Sequence, residues 1–151
     1  MGKIESAIAR IAGQRVYIDT NIFIYFLDRH PTYFDAVAAL FQAGSQQGFF
    51  ATTGDIAVAE VMVGPYRQGD PALVARFKRF FEHKNLLTVA AHERSVFDTA
   101  AMLSGQKRLK FIDALHVATA LSLGCRFLLT DDAGIASVSG PEVIQLGSLL
   151  G

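Results

Sequence analysis

Short, continuously apolar runs alternate along this chain with longer segments whose apolar positions recur at helical spacing. The runs 15–19, 49–53, 86–90, 126–130 and 143–146 have strand length and carry β-branched or aromatic residues. Helical periodicity predicts helices near 21–28, 31–47, 54–66, 71–84, 92–104 and 111–123. Pro31 and Pro71 stand where helices would start, and Gly48, Gly105 and Gly124 where they would end. Over residues 1–14, Ile4, Ile8 and Ile11 recur with charges between them, which predicts an amphipathic helix rather than the unbroken apolar centre of a secretion signal. Continuous apolar strands alternating with helices imply an α/β fold around a buried parallel sheet. One domain over 15–151, preceded by a helical extension over 1–14, accounts for the whole pattern, and Gly134 to Pro141 reads as a surface loop.

Composition narrows the class. With 151 residues, 51% hydrophobic and 19% charged, the chain can build one core and shows no sign of disorder. No apolar stretch approaches the roughly 18–20 residues of a membrane span, so a cytoplasmic protein is expected. The single cysteine, Cys125, excludes an internal disulfide and any Cys-based zinc site; opening an apolar strand, it reads as a packing residue. Formal net charge is zero, yet residues 61–110 hold nine Lys/Arg against four Asp/Glu, while the flanks hold five against ten. A basic middle opposite an acidic cluster suits a polyanion substrate, and a set of solvated helix faces would look the same.

The acidic cluster is the sharper signal. Asp19, Glu60 and Asp113 are lone carboxylates inside the runs Val16–Ile24, Ile56–Val63 and Phe111–Val117, and Asp131-Asp132 closes the strand Phe127–Thr130. Burying an unpaired carboxylate costs on the order of several kcal/mol, and no Lys or Arg lies inside the three runs, so a shared divalent cation is the simplest partner. Each acid also has an ordinary reading. Asp19-Thr20-Asn21 would cap a helix, Asp113 lies near a helix start, and Asp131-Asp132 could make a turn. Glu60, mid-helix on a face with Ile56, Ala57 and Val63, lacks that alternative. In a parallel sheet, ligands sit beyond the carboxyl ends of the strands where strand order reverses, and Asp19 and Asp131-Asp132 both end strands.

The order Asp19-Thr20-Asn21, then Glu60 with Gly64-Pro65 behind it, then Asp113-Ala114-Leu115-His116-Val117-Ala118-Thr119-Ala120-Leu121, then Thr130-Asp131-Asp132, closely resembles the PIN-domain ribonucleases, and among them the VapC-like toxins of toxin–antitoxin pairs. The resemblance implies a three-layer sandwich with a parallel sheet of order 3-2-1-4-5, and a nuclease site of Asp19, Glu60, Asp113 and Asp132 holding Mg²⁺ or Mn²⁺. Asp131 stands in the pattern's variable place, with Thr20, Asn21 and Thr130 in support. It further implies cleavage of single-stranded RNA, a cognate antitoxin and a homodimer. An RNA-processing nuclease without an antitoxin, or a silent binding module of the same fold, are the alternatives. The extension over 1–14 departs from the family pattern.

Three further expectations come from the residues. Lys107, Arg108 and Lys110 immediately precede the Asp113 helix and are the cations nearest the scissile phosphate, with Arg67, Arg76, Lys78 and Arg79 available further off. The run Ile22–Leu27, apolar all round, and the cluster Phe77, Phe80, Phe81 either pack in the core or face a second copy. His116, one turn from Asp113, reads as packing or support, and His30, His83, His92 and His116 have no zinc-ligand spacing.

Overall fold

The computed structural model describes residues 2–135 and 140–151. Five strands, β1 (Arg15–Ile18), β2 (Phe50–Gly54), β3 (Thr88–Ala90), β4 (Phe127–Thr130) and β5 (Glu142–Gln145), form one sheet in the order β3-β2-β1-β4-β5. Every pairing is parallel, with Tyr17 opposite Thr52 on one side and Leu128 on the other. The helices are α1 (Lys3–Ile11), α2 (Thr20–Leu27), α3 (Phe34–Ser45), α4 (Asp55–Gln68), α5 (Pro71–Phe81), α6 (Arg94–Lys107) and α7 (Phe111–Ser122).

Strand alternation divides the core into two layers. Val16 and Ile18 of β1, with Phe127 and Leu129 of β4, pack under α1 to α5, whereas Tyr17 and Leu128 point to the opposite face under α6 and α7. Both faces are covered, which is why these strands read as unbroken apolar runs. The Ile4, Ile8 and Ile11 stripe of α1 joins the first layer. The aromatics of α2 and α5 are consumed internally: Phe23 stacks with Phe41 and meets Phe80 and Phe81 edge-on. Ile24, Tyr25, Phe26 and Leu27 of α2 and Phe80 and Phe81 of α5 stay half-buried.

Several boundaries differ from the sequence expectation, among them the end of α5, at Phe81 rather than 84. Pro31 lies in a turn, and α3 starts at Phe34. Gly105 does not end α6; the helix runs to Lys107 and stops at Arg108, which takes a left-handed conformation at φ 58°. Pro65 lies inside α4, which continues to Gln68 before Gly69 ends it at φ 65°. Of the expected loop 134–141, residues 136–139 lie outside the described residues; Ala133–Ile135 forms a 3₁₀ turn. Among the described residues, no helix is long and apolar enough to cross a membrane.

Chain order turns back between β1 and β4. The carboxyl ends of these neighbours mark the point where a doubly wound sheet opens a crevice.

Candidate active site

Asp19 follows β1 directly and caps α2. Its Oδ1 accepts from the Thr20 amide at 2.7 Å, and its Oδ2 accepts from the Thr130 hydroxyl at 2.6 Å and more weakly from Asn21 Nδ2 at 3.4 Å. The capping reading is correct, and the same carboxylate stands in the crevice at the end of β1. It is 4% exposed. The next strand end is tied in by Asn21, whose Oδ1 accepts from the Asp131 amide at 3.1 Å.

Glu60 sits on α4, near two turns from its start. Its Oε1 accepts from the Thr20 hydroxyl at 2.7 Å and lies 2.7 Å from His116 Nε2. Burial pushes Glu60 upward, but the hydrogen bonds from His116 and Thr20 and the His116 charge outweigh it and hold the carboxyl below its usual range. His116 moves the other way: burial pushes it down, and the hydrogen bond to Glu60 with the charges of Asp19, Glu60 and Asp113 carries it above its ordinary value. His116 thus places an N–H donor among acids whose partner the sequence assigned wholly to a cation. Its ring is 2% exposed and also reaches Tyr17, which the sequence did not single out. A histidine one turn from Asp113, inside a helix buried from Ala114 to Ala120, was the available signal.

Asp113 lies in the first turn of α7, against Asp132. Burial, the nearby charges of Asp132 and Asp19, and hydrogen bonding with Asp132 push its carboxyl up to about 6. Asp132 is held by two backbone contacts, its own amide donating to Thr130 Oγ1 at 3.0 Å and its Oδ1 accepting from the Gly134 amide at 2.8 Å. Asp131 is engaged elsewhere. Its Oδ2 accepts from the Tyr25 hydroxyl at 2.8 Å and its Oδ1 from the Gly147 amide at 3.2 Å, which pins α2 to the C-terminal segment. The structure therefore brings together Asp19, Glu60, Asp113 and Asp132, and turns Asp131 to a structural task.

The four acids stand as two pairs, Asp19 and Glu60 around His116, and Asp113 against Asp132. Among the described residues, no three His, Cys, Asp or Glu side chains are grouped as a ready-made cation cage. Nor does any Lys or Arg pair with the four acids; the ion pairs among the described residues are Arg10–Glu142 and His116 with Asp19 and Glu60. Carboxylate pairs that repel one another, with oxygen ligands and no Lys or Arg among the described residues to balance them, fit a hard divalent cation. Gly134 keeps the approach open, because a Cβ there would stand 3.1 Å from Asp132 Oδ1 and 3.5 Å from Asp113 Oδ2. Gly134→Val is expected to weaken Mn²⁺ binding about tenfold or more. Calorimetry measures this, and unchanged affinity would show that Gly134 does not border a cation site.

The sequence profile of the PIN domain matches residues 16–141. The chain belongs to the PIN-domain family. Its fold is that of VapC toxins. VapBC2 from Rickettsia felis, solved bound to a DNA fragment from its promoter, superposes with a TM-score of 0.70 at 16% identity, covering 87% of this chain and 98% of that one. VapC20 from Mycobacterium tuberculosis, a sarcin-ricin loop cleaving toxin, gives 0.68 at 11%, covering 85% and 98%. A toxin–antitoxin complex from Klebsiella pneumoniae gives 0.64 at 22%, covering 87% and 97%. No curated protein sequence matches the chain.

The basic candidates divide within this PIN domain. Exposed Lys107 ends α6, and exposed Arg108 and Lys110 lie in the connection to α7, directly ahead of Asp113. Arg67 is exposed seven residues after Glu60 on α4, two turns and about 10 Å along the same face. Arg76 and Arg79 line a cavity with Leu27 and Asp28 at the far end of α2, about 12 Å of helix away from Asp19. Lys78 lies over the Tyr66 ring. Cys125 is buried against Thr52, and burial pushes its thiol up, as a packing residue requires.

Proposed function

We propose that this PIN domain is a metal-dependent endoribonuclease acting on single-stranded RNA, the toxin of a pair whose antitoxin occupies the acidic cleft. The observation that carries this reading is the Asp113–Asp132 pair opposite Asp19 and Glu60 at the sheet's switch point, short of positive charge. Asp19, Asp113 and Asp132, with Glu60, would hold Mg²⁺ or Mn²⁺. When bound, such a cation polarises the phosphate and lowers the pKa of water. Glu60, ionised throughout the neutral range, orients the attacking water through the oxygen that His116 and Thr20 leave free. That water adds to phosphorus in line and gives a proton to the free Glu60 oxygen, which passes it to solvent, while the bond to the departing ribose oxygen breaks and that oxygen is protonated from solvent. Exposed Lys107, Arg108 and Lys110 hold the flanking phosphates, with Arg67 further along.

The support for an antitoxin is the likeness of fold to toxins solved in toxin–antitoxin complexes, together with an acidic cleft suited to an Arg or Lys from a partner. A homodimer is supported by large exposed apolar side chains outside the aromatic core, including Phe97 and Met102 on α6 and Phe111 and Ile112 on α7. Light scattering at micromolar concentration is expected to give twice the chain mass; a monomer would count against it. A cytoplasmic setting is part of the same proposal, as is a catalytic unit over 15–151 with α1 added to it.

The test of the reading is cleavage of a single-stranded RNA by the purified chain with Mg²⁺ and with EDTA. Cleavage only with the cation is expected, and none under either condition would defeat the proposal in favour of a binding module. Arg108→Ala with Lys110→Ala is expected to weaken RNA binding and to flatten its dependence on salt by up to about 0.7 per lost phosphate contact. Mn²⁺ binding should be retained. An unchanged slope would show that the substrate enters elsewhere.

A further inference from the structure

His116 uses both of its ring nitrogens inside the acidic cleft. Nδ1 lies 2.7 Å from the Tyr17 hydroxyl, and Nε2 lies 2.7 Å from Glu60 Oε1 and 3.4 Å from Asp19 Oδ1. A carboxylate oxygen only accepts, so Nε2 carries a proton and donates it toward Glu60. The Thr20 hydroxyl donates to the same oxygen. Glu60 Oε1 is therefore held by two donors, one from α2 and one from α7, while Oε2 has no hydrogen-bond partner among the described residues. This matters because the Glu60 side chain is 37% exposed on a helix and otherwise free to change rotamer.

Tyr17 stands behind the ring. It is on β1 two residues before Asp19, fully buried, and aligned edge-on to His116. Its phenol keeps its proton because burial pushes it far above its ordinary range. Donation from this hydroxyl to Nδ1 leaves Nε2–H for Glu60, so the strand that supplies Asp19 also sets which nitrogen of His116 bears the proton.

We propose that His116, oriented by Tyr17, is a positioning residue that aims the Glu60 carboxylate at the cation shared by the four acids. The role rests on the nuclease reading above. It predicts that the donor at the Nε2 position, not the volume of the ring, is what the site needs. Gln places an amide donor near the Nε2 position, whereas Asn reaches only the Nδ1 position and loses Glu60.

Mn²⁺ alone is the probe, titrated into the full chain by calorimetry, with kcat and KM on RNA as the second readout. His116→Gln is expected to stay within about threefold of wild-type Mn²⁺ affinity, and His116→Asn to lose about 10–100-fold, the usual effect of removing an outer partner of a metal ligand. Tyr17→Phe should lie between them, and the losses should fall on kcat rather than KM. Equal affinity in all three variants and wild type would overturn the role, and equal losses in the Gln and Asn variants would reduce His116 to packing. Should either histidine variant fail to fold by circular dichroism, Tyr17→Phe, which keeps its ring, decides: undiminished affinity there overturns the proposal. Wild-type protein that binds no Mn²⁺ would instead overturn the nuclease reading itself.

Discussion

Asp113→Asn is expected to cut RNA cleavage by about 10³-fold while making the metal-free protein more stable. The carboxyl of Asp113 is pushed up to about 6 by burial and by Asp132 and Asp19, so its ionised form is disfavoured by the fold. Between the unfolded carboxylate range near 4 and about 6, the native state binds more protons than the unfolded one, and stability falls as pH rises through that window. At pH 7 the penalty is fully present. Asp113 is only partly buried, so solvent screening reduces it to about 1 kcal/mol, or about 2–4 °C in a chain of this size. Removing the charge should recover that amount above pH 6 and nothing below pH 4. Asp19→Asn should abolish cleavage too, with the opposite effect on stability. Its carboxylate accepts from Thr20, Thr130 and Asn21, and an amide would turn a donor toward some of those groups. A loss of about 2 kcal/mol is expected. Thermal melts of both variants in EDTA, at pH 7 and pH 4, check the pair of signs. Stabilisation by both variants would mean that Asp19 does not organise the start of α2.

Cation affinity should collapse in acid with a slope set by Asp113. A cation needs the ionised carboxylate, so loading it below about pH 6 must release the proton that Asp113 holds there. Mn²⁺ affinity is expected to follow this proton on the acid side. It should fall by up to about tenfold per pH unit below pH 6, with up to one proton released per cation. Calorimetry in buffers of different ionisation enthalpy counts that proton directly. In Asp113→Asn the acid-side slope should vanish along with most of the affinity. A slope that persisted in that variant would assign the proton to another group.

Much of this was legible in the chain. Residues such as Val16, Ile18, Phe127 and Leu129 are apolar because both faces of the sheet are covered, and that continuity announced parallel strands. The lone acids Asp19, Glu60 and Asp113 in apolar runs announced the acidic cleft, since no neighbour in sequence could neutralise them. Several features were hidden because they depend on contacts between residues far apart. Tyr17 and His116 are 99 positions apart and meet only when β1 and α7 pack. The resemblance pointed to Asp132 over its neighbour but gave no physical reason; Tyr25 and the Gly147 amide take Asp131, leaving Asp132 beside Asp113. The end of α6 was misplaced because Gly105 marks a permissive position, whereas the left-handed turn occurs at Arg108. The apolar run of α2 read equally as core or as a surface for a second copy, and the rings of α3 and α5 that pack on Phe23 come from segments the run itself does not name.

The central claim is that the acids on β1, α4, α7 and the end of β4 act as one cation-dependent unit. The most direct measurement is the cleavage rate of one single-stranded RNA in Mg²⁺ by wild type, Asp19→Asn, Asp113→Asn and the double variant. The account predicts that each single variant loses nearly all activity and that the double variant loses little more, because removing either part disables the whole. Full activity in either single variant, or losses that simply multiply in the double one, would contradict it.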